Sequence, residues 1–149
     1  MHGKHYLNLG IMTVLSFIAM YILMYAMVDR VSNVYSNVNQ FYMAGLMTAP
    51  MVLIELAVMR AMYKNAHLNL AIMIVAAVAL GAFFILIRQQ TAVTDSQFLR
   101  SMIPHHAGAI LMCEQAPIER PEIKKLCQEI IRSQKAEIEQ MRKLLHISP

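Results

Sequence analysis

The sequence has no tryptophan, two cysteines, and charged residues at only 15% of positions. Soluble domains usually carry about 25% charged residues and about 45–50% apolar ones. Here the apolar fraction is 58%, which argues against a fully soluble globule. The formal charge is +4, but no run of Lys or Arg exists. Positive charge is thin throughout, so nucleic acid is excluded as an expected partner. There is no C-x-x-C, which removes closed cysteine-rich zinc sites and c-type haem attachment. There is no Glu-x-x-His, the element that paired helices need for a carboxylate-bridged di-iron centre. No nucleophile–base pair or open zinc site is visible, and no enzyme activity is expected.

What the sequence does have is long apolar runs. A membrane-spanning helix needs roughly 20 apolar residues. Leu9 to Val28 and Leu70 to Ile87 carry no charge, and Phe41 to Met59 carries only Glu55. Breaks follow at Asp29-Arg30, at Arg60 with Lys64-Asn65, and at Arg88-Gln89-Gln90. Buried helices of a soluble protein would need polar outer faces, and these runs have none. The expected fold is all-α. Residues 1–90 form a three-helix transmembrane anchor, and residues 91–149 form an antiparallel helical hairpin outside the membrane.

Three spans put the ends of the anchor on opposite sides of the bilayer. Lys4, Arg60 and Lys64 flank one side, Arg30 and Arg88 the other, so the Lys and Arg bias favours a cytoplasmic N-terminus. Tyr6 and Tyr63 then mark one interface, Phe41 and Tyr42 the other. An ionisable residue inside a span is usually functional or paired, which singles out Glu55. Methionine is frequent, 14 of 149 residues. Met43, Met47, Met51, Met59 and Met62 follow helical spacing in the second span. They read either as adaptable packing or as a soft-metal path. His2, His5 and His67 fall on the cytoplasmic side and read as solvated or as a weak metal drop-off.

In residues 91–149 Asp95 is a candidate N-cap. Phe98, Leu99, Met102, Ile103, Ala109, Ile110, Met112 and Cys113 recur at helical spacing. Pro104 interrupts this run and is expected to kink it. Pro121 suits the first position of a second helix, whose stripe includes Cys127, Ile131, Ile138, Met141 and Leu145. The short connection makes the helices antiparallel neighbours. With the turn centred near residue 120, residue i faces residue 240 − i. Cys113 then faces Cys127, His106 faces Gln134, Met102 faces Ile138, and Leu99 faces Met141.

Polar residues stand where core residues belong. His105 and His106 lie within or beside the apolar stripe of the first helix, with Gln134 opposite and Glu137 a turn on. Such groups need partners. One reading is a hydrogen-bonded core network. The other is a metal site of His105, His106, Met102, Met112 and Met141, with Gln134 or Glu137 accepting an imidazole N–H. Thioether and imidazole donors are soft to borderline and select copper, Cu(I) above all. Cys113 and Cys127 have three readings: a disulfide, a Cu(I) thiolate pair, or two small buried residues.

Phe98–Glu114 reads F-L-R-S-M-I-P-H-H-A-G-A-I-L-M-C-E, and Glu122–Met141 reads E-I-K-K-L-C-Q-E-I-I-R-S-Q-K-A-E-I-E-Q-M. The M-I-P-H-H and Q-x-x-E-I-x-x-M elements resemble the family called domain of unknown function 305. Met47–Leu56 resembles its membrane-anchored branch. The resemblance implies a ferritin-like helical module on the outer side of a bacterial inner (plasma) membrane, linked to copper binding or tolerance. It carries over to Met102, His105, His106, Met112, Gln134, Glu137 and Met141. Many relatives carry two hairpins in tandem and this chain carries one, so a four-helix bundle would need a second chain. The expected protein is therefore a membrane-anchored copper buffer, sensor or chaperone, forming a homodimer or a higher even oligomer. The competing expectation is a structural or interaction module that dimerises through its hairpin without a metal.

Overall fold

A computed structural model describes residues 2–147; the side chains of His2 and Ile147 lie outside the described set. Among the described residues the regular structure is entirely helical. Helix α1 spans His2–Leu23, α2 Val38–Val58, α3 Ala66–Gln89, α4 Asp95–Gln115 and α5 Pro121–Ile147. Two 3-10 turns, Met24–Met27 and Val31–Asn33, lie between α1 and α2. Three segments are long and apolar enough to cross a membrane: Gly3–Met27, Val38–Val58 and Ala66–Gln89. Each begins several residues before its uncharged run, because helix continues through flanking Tyr, Asn and His.

The chain divides into two compact units. The first holds α1, α2 and α3. Its core gathers Leu9, Val52, Leu56, Tyr63 and Ala76. Tyr42, Ala44, Thr48 and Ala49 of α2 are buried as well, while many large apolar side chains of these helices stand exposed, among them Leu15, Ile54 and Val78. Gly45 of α2 lies against the Phe83 ring of α3, and a Cβ there would clash with the edge of that ring. Asn65 caps α3 by accepting the Leu68 N–H at 3.0 Å. At the other end Gln90 adopts the left-handed conformation, φ 50°, and exchanges amide hydrogen bonds with Asn39 at 2.9 and 3.1 Å.

The second unit joins α4 and α5 to the segment Tyr25–Val38, whose first four residues the uncharged run from Leu9 to Val28 places in the first span and whose remainder it leaves as a connection. Leu99, Ile103, Ala107 and Ile110 of α4 pack on Ile138 and Met141 of α5, with Val28 and Tyr35 of the segment against them. Contacts between α4 and α5 run in opposite residue order: Cys113 meets Cys127, and His106 meets Glu137. The N-cap of α4 is Thr94, not Asp95; its hydroxyl accepts the Gln97 N–H at 3.4 Å. Asp95 instead occupies the first turn, where its charge suits the helix dipole. Helix α4 runs unbroken through Pro104. The ring removes the N–H that would reach the Arg100 carbonyl. The Asn37 side-chain amide lies 3.5 Å from that oxygen and donates to the Tyr35 carbonyl at 3.0 Å. The buried Asn37 thus stands where the proline leaves an acceptor open.

Candidate functional site

The adjacent histidines on α4 have different surroundings. His106 is 7% exposed and His105 is exposed. Successive helical residues point about 100° apart, so one imidazole faces α5 and the other does not. Nδ1 of His106 lies 2.9 Å from the Met102 carbonyl oxygen, and Nε2 lies 2.7 Å from Oε2 of Glu137. The Ser133 hydroxyl donates to the other carboxylate oxygen at 2.7 Å. The Ser133 hydrogen bond, then that of His106, holds the Glu137 carboxyl below its usual range, so Glu137 is an anion. Both ring nitrogens of His106 are thus engaged inside the helix pair, one by the Met102 carbonyl and one by the Glu137 carboxylate.

The expected opposite number of His106 was Gln134, and the structure gives Glu137. Gln134 is half-buried on α5. Met141 is buried in the apolar core with Leu99 and Ile103. Met102 is half-buried and Met112 is 52% exposed. Residues 102, 105, 109 and 112 follow the three- and four-residue steps that share a helix face. His105 thus stands between two thioethers on α4, with Ala109 beside it. Among the described residues no three His, Cys, Asp or Glu side chains form a ligand set.

Cys113 and Cys127 are bonded to each other, their Cα atoms 5.2 Å apart, so neither offers a thiolate. In the first unit Glu55 accepts a hydrogen bond from the Tyr63 hydroxyl at 3.1 Å. Burial and then the neighbouring Glu55 push the Tyr63 phenol up. The Tyr6 and Tyr63 rings lie 5.3 Å apart. Tyr6 donates to the Asn69 side-chain oxygen at 2.7 Å, and Asn69 donates to the Tyr63 carbonyl at 2.7 Å. Glu55 is thus paired at the end of its helix. Of the methionines placed on the second span, Met43, Met47 and Met51 lie on α2, whereas Met59 and Met62 follow its end at Val58.

Sequence reasoning missed Arg142. From α5 its guanidinium donates to the Ser32 carbonyl at 3.2 Å and to the Asn33 side chain. On the same side of the helix pair, Lys135 and Glu114 form an ion pair at 3.0 Å. A basic residue amid many others on a charged helix carries no signal of this contact.

A family model, domain of unknown function (DUF305), matches residues 81–145, which cover α4 and nearly all of α5. An uncharacterized protein of Acanthamoeba polyphaga mimivirus is 31% identical over 138 residues, covering 91% of this chain and 89% of that protein. No solved structure matches. The viral match runs through the three apolar helices as well as the α4–α5 pair, and on these two likenesses the chain belongs to the DUF305 family.

Proposed function

We propose that this protein is a membrane-anchored copper-binding module. The observation that carries the reading is the face of α4 on which exposed His105 stands between Met102 and Met112. Met102 and His105 stand one turn apart on α4, close enough to share an ion, whereas Met112 lies about 15 Å further along the helix than Met102. An imidazole and a thioether are neutral and soft, which suits Cu(I). His105 and Met102 would hold the ion. His106 is not a ligand in this reading: its bonds to Glu137 and the Met102 carbonyl fix the α4 backbone that presents the others. The ion would be held and passed on, so the protein acts as a binding protein and not as an enzyme.

Placement follows from the apolar helices and the cysteines. α1, α2 and α3 act as the anchor, with the N-terminus in the cytoplasm and the α4–α5 hairpin outside, at a bacterial-type inner membrane. The disulfide supports this side, because such bonds persist in oxidising compartments and are rare in the cytosol.

A second reading is favoured by one observation. The Ser133–Glu137–His106 chain of hydrogen bonds fixes the register of the two helices without any metal, as a structural module would need. Copper per chain, measured after purification in a non-chelating detergent, separates the two. The copper reading expects bound copper that is lost in His105→Ala. A metal-free protein that stays metal-free when Cu(I) is supplied would support the structural module.

A further inference from the structure

The α4–α5 pair has two sides. On one, Glu114 meets Lys135, and Arg142 reaches Ser32 and Asn33. The chain's own segment Tyr25–Val38 covers that side. These residues each follow the core stripe by one position. For antiparallel helices, the residues that precede the stripe by one position share the opposite side. On α4 these are Phe98, Met102, His105, Ala109 and Met112; on α5 they include Leu126, Ile130, Ser133 and Glu137. Phe98 is 50% exposed and Leu126 53% exposed. From Leu111 to Glu137 no residue is buried. The half of the pair next to its turn thus has no closed core of its own.

We infer that this open side is a dimer interface, on which the same side of a second copy docks about a two-fold axis. Its charge decides the occupant. The named positions include no Lys or Arg, so the side does not suit an anionic lipid surface, which is recognised through basic residues. Its one carboxylate, Glu137, is already tied to His106 and Ser133 of the same pair. An apolar patch with a polar centre matches another of its kind, and an isologous contact supplies one. Phe98, His105 and Met112 are spaced seven residues apart, with His105 at the middle. An axis through that middle sets His105 against His105 of the partner subunit. The copper site proposed above is then shared, with a set of imidazole and thioether donors from each chain. The sharing rests on the copper reading; the dimer does not.

The test uses the full chain in detergent, with mass measured by light scattering and copper measured separately. The expected wild-type mass is two chains. Leu126→Glu, and independently Phe98→Glu, replaces a side chain that is exposed in the single chain, so both should keep helicity and the disulfide. Each should weaken dimerisation by roughly a hundredfold or more, because the change occurs twice across a two-fold interface. Copper should bind at one ion per two chains and be weakened in the same variants. A wild-type mass of one chain overturns the interface, as does a Leu126→Glu protein that dimerises like wild type. One ion per chain, retained by monomeric Leu126→Glu, overturns the shared site. An intact dimer that takes no copper upholds the interface and overturns only the copper reading.

Discussion

His106 of α4 and Glu137 of α5 are joined at 2.7 Å between Nε2 and Oε2, and this bond ties the two helices near their middle. The Ser133 hydrogen bond, then that of His106, holds the Glu137 carboxyl below its usual range. A carboxyl whose folded pKa is depressed adds stability that is present above its unfolded pKa and is lost as pH falls through the folded one. The loss should therefore begin near the ordinary glutamate value of about 4.3 and grow below it. Thermal melts between pH 6 and pH 3 should fall more steeply for wild type than for Glu137→Gln. Parallel slopes would show that the pair contributes nothing.

The disulfide joins α4 and α5 where no side chain is buried. Closing a loop of about 15 residues is worth roughly 3 kcal/mol in the chain-entropy model. Replacing both cysteines by serine should lower stability by about that amount. Hydrogen exchange should quicken most across residues 111–136, and least at Ile103 and Ile110. Uniform exchange along both helices would contradict the view that the bond stands in for a core there.

Gly45 and Phe83 fit only because position 45 has no Cβ. Gly45→Ala should destabilise the three-helix unit by about 1–3 kcal/mol, the usual overpacking cost. Phe83→Leu in the same chain should restore part of it by making room. Thermal unfolding in detergent reads both, and a neutral Gly45→Ala would show that the α2–α3 contact is looser.

Arg142 donates to the backbone and side chains of residues 32 and 33. Hydrogen bonds from charged groups are worth about 1.5–3 kcal/mol. Arg142→Met keeps much of the apolar stem and removes these bonds. The segment 28–34 should then become the first site of limited proteolysis, while α4 and α5 remain resistant. An unchanged cleavage pattern would show that Val28 and Tyr35 alone hold the segment.

The three apolar helices were legible because uncharged runs of that length admit few other structures. The α4–α5 pair was legible from its stripe and from Pro121 beside the turn. The register estimate placed Cys113 on Cys127 because both lie close to the turn. It missed the partner of His106 by three residues. Further from the turn, a flexible glutamate side chain reaches about one helical turn along, and a backbone estimate does not see this. The segment Tyr25–Val38 was not legible as part of the second unit. Its apolar residues are scattered among Ser and Asn without helix or strand period, and its contacts come from residues more than 60 positions away.

In the proposed copper site the imidazole comes from His105 and not from His106. The most direct measurement is the Cu(I) affinity of the full chain against a competing chelator, for wild type, His105→Ala and His106→Ala. The account predicts that His105→Ala abolishes binding. His106→Ala, which disturbs only the support of the ligands, should weaken it by roughly 10–100-fold, as loss of an orienting partner does. Unchanged affinity in His105→Ala, or loss confined to His106→Ala, would contradict it.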